Sequence, residues 1–268
     1  AIGYDNTANG NDATALGRSN TASATYATAL GYSNDATGDE STSVGYNNNA
    51  SYRSTALGYY NTATAASLYS VAVGGANVAS HSYATAVGVD NAAIGQWSLS
   101  VGYSNEANAA KTTAIGYDNT ATASDATAVG ESNNATATQT TAVGYYNTAS
   151  TTYATAIGGS NEATGEYSTA VGYNNTAANR DSAFGFSNNS INNSTALGYS
   201  NTATGGQCTA VGYDNDATNT AAVAVGYSNN AAAESTTAVG YNNEATATQG
   251  TAVGYNNKAD DRSTALGY

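Results

Sequence analysis

An all-β fold, a parallel β-solenoid with coils of about fourteen residues, is what this sequence predicts, on three observations. The stretch Ser168-Thr169-Ala170-Val171-Gly172-Tyr173-Asn174-Asn175-Thr176-Ala177 returns in near-copies along the whole chain. Within each copy, larger and very small side chains alternate with the period of two that marks a strand. Large aliphatic residues are also too sparse for a thick core: the 268 residues include 29 Gly, no Pro, no Met, two Phe and one Trp, against 22 Tyr. Scrambled, such a composition would be disordered. In register, thin layers can stack into one long core.

Aligned on the alanine of that stretch, the copies are anchored at Ala1, Ala15, Ala29, Ser43, Ala56, Ala72, Ala86, Ser100, Ala114, Ala128, Ala142, Ala156, Ala170, Ala183, Ala196, Ala210, Ala224, Ala238, Ala252 and Ala265. That makes nineteen complete repeats and the first four residues of a twentieth. Repeats starting at Ser43, Ala170, Ala183 and Ala252 have thirteen residues, the one at Ala56 has sixteen, and the rest have fourteen. The changes fall in the last third of the unit, where a turn can absorb them. Residues 1–268 therefore read as a single repeat domain. The chain opens and closes in the same register, so we read it as a segment of something longer. With coils ~4.8 Å apart, nineteen repeats predict a rod roughly 90 Å long.

The first strand runs from the residue before the anchor to the third residue after it. The residue following the anchor is aliphatic in every copy except Phe184, and we take it as the core column. The residue before the anchor is Thr almost throughout, with Val71, Leu99 and Val223 as exceptions that point to shelter from water. Three residues past the anchor lies an aromatic ladder of Tyr4, Tyr32, Tyr46, Tyr59, Tyr103, Tyr117, Tyr145, Tyr173, Tyr199, Tyr213, Tyr227, Tyr241, Tyr255 and Tyr268, with Phe186 in the same column. Thr, aliphatic and Tyr share one side of the strand, while the anchor Ala and the following Gly occupy the other. Only Arg18 and Glu131 bring charge to this strand. A strand without a wet face is covered on both. The coil's interior supplies one cover, and the second must come from outside it.

The second strand alternates small residues inward with polar ones outward. Five residues past the anchor every repeat carries Asn: Asn6, Asn20, Asn34, Asn48, Asn61, Asn77, Asn91, Asn105, Asn119, Asn133, Asn147, Asn161, Asn175, Asn188, Asn201, Asn215, Asn229, Asn243 and Asn257. Two jobs fit this column. Asn tolerates the left-handed backbone of a tight corner, and stacked amides can bond along the axis as a ladder. Two residues further on the residue is Ala in all but one repeat, where it is Ser190, and the residue between takes Thr7, Asp35, Glu106, Glu162, Asp216, Glu244 or Lys258 and faces water.

Six basic residues against nineteen acidic ones give a formal charge of −13. That balance disfavours nucleic acid, which is bound by neutralising phosphates, and anionic membrane surfaces. No apolar run reaches membrane-spanning length, so no membrane insertion is expected in this segment. Cys208 stands where other repeats carry Ser, Ala, Thr or Gly, and reads as a small buried substitute. His81, the one His, excludes a His-based triad or a multi-His metal site within one chain and reads as a turn residue. Asp39-Glu40 and Asp260-Asp261 read as solvated charge, since the ligand spacing of calcium solenoids is missing. Trp97 and Tyr69 fall in variable turns and read as packing over a coil edge. Without clustered acid, base or nucleophile, no enzyme activity, catalytic residue, cofactor or metal is expected.

The spacing [Ser/Thr]-x-Ala-[Ile/Val/Leu]-Gly-x-x-[Ser/Asn]-x-Ala-x-[Gly/Ala], as in Ser168 to Ala178, resembles the head repeats of trimeric autotransporter adhesins, the YadA-like head. The resemblance covers the whole chain. It implies a left-handed β-roll, three chains around an axis, and display on a bacterial surface to bind host matrix or other cells. A trimer would supply the missing outer cover. Departures are Asn for the usual Ser in the asparagine column, Thr for Val before the anchor, and Tyr three residues after it; no neck insertion, heptad stalk or anchor barrel is seen. The expected function is thus a structural and adhesive extracellular or cell-surface fibre. It associates with itself as a trimer or filament and contacts host or matrix surfaces or glycans. Alternatives are an ice-binding or crystal-binding solenoid, a self-assembling matrix filament, and a virus or phage fibre.

Overall fold

A computed structural model describes residues 1–64 and 68–268. It divides into two compact units, Ala1–Thr136 and Ala137–Tyr268, built on one plan. Each coil carries a long strand, a turn, a two-residue strand and a second turn. In the first unit Thr113–Tyr117 is followed by Thr120–Ala121, and in the second Thr209–Tyr213 is followed by Asp216–Ala217. Strands of successive coils pair in parallel, column on column: Ala114 with Ala128, Ile115 with Val129 and Gly116 with Gly130, and likewise Ala210 with Ala224 and Val211 with Val225. The fold is a parallel β-solenoid of about fourteen residues per coil. Among the described residues no helix is long and apolar enough to cross a membrane.

Register survives the changes in repeat length. In the thirteen-residue repeat from Ala170, four residues (178–181) separate Thr176–Ala177 from Ser182–Phe186. The preceding repeat uses five, 164–168, at the same turn. Val171 still pairs with Phe184, and Phe184 with Leu197. In the sixteen-residue repeat from Ala56, the expected place of the extra length falls on Ala65, Ala66 and Ser67, which lie outside the described residues.

The interior is thinner than the sequence reading made it. Buried inside the coils are the anchors, such as Ala114 and Ala210, the second-strand alanines, such as Ala121 and Ala217, and the asparagines. The column two residues before the anchor, with Ser41, Thr112 and Cys208, is buried with them. The aliphatic column, expected to be the core, lies outside its own coil: Leu57 and Leu197 remain 44% and 45% exposed. Alternation forces one set of side chains inward, and a fourteen-residue coil has room only for methyls, hydroxyls and one amide. Size, not hydrophobicity, decides which set that is.

A second correction concerns the corner. The left-handed residue precedes the asparagine: φ is +52° at Ser104 and +54° at Asp118. Asp, Ser and Asn dominate that column because their short polar side chains tolerate this backbone. A further left-handed residue stands three before each anchor, as at Lys111 (φ +58°) and Gln207 (φ +60°). Glycine after the aliphatic column is required twice over. Gly116 has φ +123°, and a Cβ there would lie 2.0 Å from the Gly130 carbonyl oxygen.

Candidate functional surface: the side-chain ladders

The asparagines form a hydrogen-bonded ladder within each unit, from Asn6 to Asn133 and from Asn147 to Asn257. At a representative rung, Asn215 donates from its backbone N–H and its amide Nδ2 to Asn201 Oδ1, at 3.1 and 2.9 Å. Nδ2 also reaches the Val211 carbonyl in its own coil (3.1 Å) and the Gly226 carbonyl in the next (2.8 Å). Asn215 Oδ1 in turn accepts from Asn229 N and Nδ2. Asn119 repeats the pattern in the first unit with Asn105, Ile115 and Gly130. From Asn20 to Asn243 these amides are consumed by the fold and sealed from solvent, which leaves them no group to offer a ligand.

The tyrosine column lies on the outer side, half-exposed. In the second unit Tyr173, Phe186, Tyr199, Tyr213, Tyr227, Tyr241, Tyr255 and Tyr268 stack in sequence, with centroids 4.8–5.3 Å apart and planes within 20°. The spacing is that of the β-ladder beneath. Burial against its neighbours pushes the Tyr213 phenol above its ordinary pKa, with Tyr199, Tyr227 and Asp214 adding to the rise. In the first unit the column is broken into shorter runs, Tyr32 on Tyr46 and Tyr103 on Tyr117. Arg18 fills a place between Tyr4 and Tyr32, its guanidinium 5.5 and 5.7 Å from the two ring centres. Where the column holds glycine, the preceding ring folds over the gap, Tyr59 over Gly75 and Tyr145 over Gly159.

A second aromatic column, at the left-handed residue three before each anchor, was not read from the sequence. Tyr69, Tyr83 and Trp97 stack there, as do Tyr153 and Tyr167. Arg53 lies over Tyr69, held by Glu40 at 3.0 Å, and Arg180 lies over Tyr167. Counting backward from the next anchor aligns this column in every repeat, whereas counting forward loses it at each length change. His81 is exposed in the same turn and Cys208 is buried. Asp39 Oδ1 accepts from Thr25 N, and Asp260 and Asp261 are exposed. Among the described residues no cluster of three or more His, Cys, Asp or Glu is placed to hold a metal.

Among the described residues one carboxyl is buried. Asp181 stands where other repeats carry Ser, Ala, Thr, Gly or Cys, 1% exposed. Its Oδ1 accepts from Ser194 N at 2.6 Å, and Oδ2 is shut from water with no hydrogen-bond partner. Burial raises its pKa above the usual carboxylate range, against the opposing pull of backbone N–H groups of Ser194, Asn192, Ala178 and Asn193.

The columns that point out of the long strands make a nearly uncharged face of Thr, Val, Leu, Ile and Tyr. Apart from Glu131 in the tyrosine column, acidic residues lie elsewhere, several of them in the outward column of the short strand (Asp35, Glu106, Glu162, Asp216, Glu244), where they interrupt its threonines. The model of the YadA head domain repeat, two copies long, matches residues 1–34, 36–51, 65–91, 93–119, 121–183, 192–215, 217–243 and 245–268. This chain belongs to that family. YadA head repeats are structural adhesin domains rather than enzymes, and the solenoid described above is of that structural, adhesin-like kind. No curated protein matches the chain.

Proposed function

We propose that this chain is part of the head of a surface adhesin, exposed outside the cell, in which copies of the chain pack through their long-strand faces. The observation that carries this reading is the aliphatic column on the outside of the coil. Leu57, Ile157 and Leu197 are more than a third exposed, in a band flanked by Thr and by half-exposed rings. A contiguous apolar patch of this kind marks an association surface. The occupant is a second and third copy of the chain. A chain of charge −13 repels its own copies, yet this face is almost free of charge, and its evenly spaced rungs fit an identical set. Three is the number that the family resemblance implies. The turns, with their stacked aromatics and cations, remain outermost and meet host, matrix or glycan surfaces.

The test is mass in solution by light scattering at micromolar concentration. Three times the chain mass is expected for the unaltered chain, and the single-chain mass for a Val225→Asp, Val239→Asp double variant, which places two charges in the apolar band. An unaltered chain that stays monomeric overturns the reading.

A further inference from the structure

We propose that the stacked tyrosines Tyr199, Tyr213, Tyr227, Tyr241, Tyr255 and Tyr268 form an oxidative cross-linking strip, in which a one-electron oxidant couples rings on neighbouring coils into dityrosine. Two observations carry it. Adjacent rings in this run have centroids 4.8–4.9 Å apart and planes within 16°, so each phenol is held beside another phenol of identical orientation. The rings are also reachable: Tyr199 to Tyr255 are 42–45% exposed, and Tyr268 is fully so.

The step balances as follows. Each of two neighbouring phenols gives one electron to the oxidant and its hydroxyl proton to water, leaving two phenoxyl radicals. Spin on each ring reaches the carbons beside the C–O bond, and two such carbons, one from each ring, form a C–C bond. The hydrogens on those carbons leave as protons while the two oxygens regain protons, restoring both phenols. The net change is the loss of two electrons and two protons and the gain of one bond. Slip about the loosely restrained ring torsions closes the remaining distance. Each bond joins residues one coil apart and stitches rung to rung, so the strip locks the solenoid against unwinding.

The column carries its own control. Phe186 stacks on Tyr199 at 4.9 Å and 4° but has no phenol to oxidise. It parts Tyr173 from the run of phenols that starts at Tyr199; the other ring near Tyr173 is Tyr145, 6.4 Å away and tilted by 49°.

The experiment irradiates the whole chain with a ruthenium tris-bipyridyl complex and persulfate, at a dilution where separate chains seldom meet. Dityrosine fluorescence is followed, and cross-links are mapped by peptic digestion and mass spectrometry. Expected are links between Tyr213 and Tyr227 and between Tyr227 and Tyr241, with none joining Tyr173 to Phe186 or Tyr199. In a Tyr213→Phe, Tyr241→Phe variant, every link to Tyr199 or Tyr227 is expected to vanish while the Tyr255–Tyr268 link persists. Phe186 shows that the stack accepts phenylalanine, and an unchanged circular dichroism spectrum confirms folding. Protease resistance is expected to rise on oxidation in the unaltered chain only. Links scattered without regard to ladder neighbours, links solely between isotopically distinct chains, or no dityrosine despite consumed oxidant would each overturn the proposal.

Discussion

A carboxamide brings two N–H donors and an acceptor oxygen with two lone pairs, and the buried asparagines spend them all. Removing one leaves the neighbouring rungs' groups unpaired away from water, at roughly 1–3 kcal/mol for each group. Asn215→Ala is therefore expected to destabilise the second unit by about 2–4 kcal/mol, seen as faster hydrogen exchange at Asn229 and Gly226. Unchanged exchange there would show the ladder to be ornamental. Asp181 is the opposite case, an ionisable group with no rung to complete. Its folded pKa lies above its unfolded one, so its stabilising contribution is full below the ordinary carboxylate value and is lost as pH rises through the folded value. Asp181→Asn should thus slow exchange at the Asn192–Ser194 turn at neutral pH, with variant and unaltered chain converging below about pH 4. A variant that exchanges faster at neutral pH would reverse the sign. The asparagine column was plain in the sequence, but its backbone duty was misplaced by one residue. Both Asn and its predecessor are turn-forming types, and composition alone does not say which one bends.

At the scale of a strand, the period of two told which residues share a side. It did not tell which side is inside. Val171 and Ala170 are both apolar, and hydrophobicity ranks the wrong one as core; only the width of the coil reverses the order. The glycine column was read as small, while its real constraint is a positive φ beside a carbonyl of the next coil, as at Gly226, whose Cβ would meet the Gly240 oxygen. The glycines in the tyrosine column differ. At Gly159 the obstacle is the far end of the Tyr145 ring, which can swing away. Gly159→Tyr should accordingly be tolerated and should complete the stack from Tyr145 to Tyr268, where Tyr145 and Tyr173 now sit 6.4 Å apart and tilted by 49°. Stronger near-ultraviolet circular dichroism from coupled tyrosines is the expected signature. A weaker signal with loss of stability would mean that the ring cannot move.

For the molecule as a whole, the described residues that each of the two units buries are mainly alanines, small polar side chains and amides. Its cohesion comes from the repetition of thin layers and from whatever covers the outer band. The repeat, its length and the solenoid were legible from the sequence because every column is sampled many times, so that single exceptions such as Arg18 or Ser190 do not blur it. The buried Asp181 was not legible, since one aspartate among many surface acids carries no mark of burial. Charge gives a further expectation for the assembly. Copies of a −13 chain repel, and salt screens that repulsion, with a Debye length falling from about 30 Å at 0.01 M to about 8 Å at 0.15 M. The assembled fraction measured by light scattering should rise over that range. A fall would place salt-sensitive ion pairs, rather than the apolar band, at the contact.

Because most levels of the interior present the same methyls and the same amide, those layers are interchangeable. A coil such as 210–223 could be excised or duplicated with its neighbours meeting as before, Ala196 facing Ala224 and Asn201 facing Asn229. Length in this architecture is then a free variable, adjustable by counting repeats in the gene without redesigning a single packing contact.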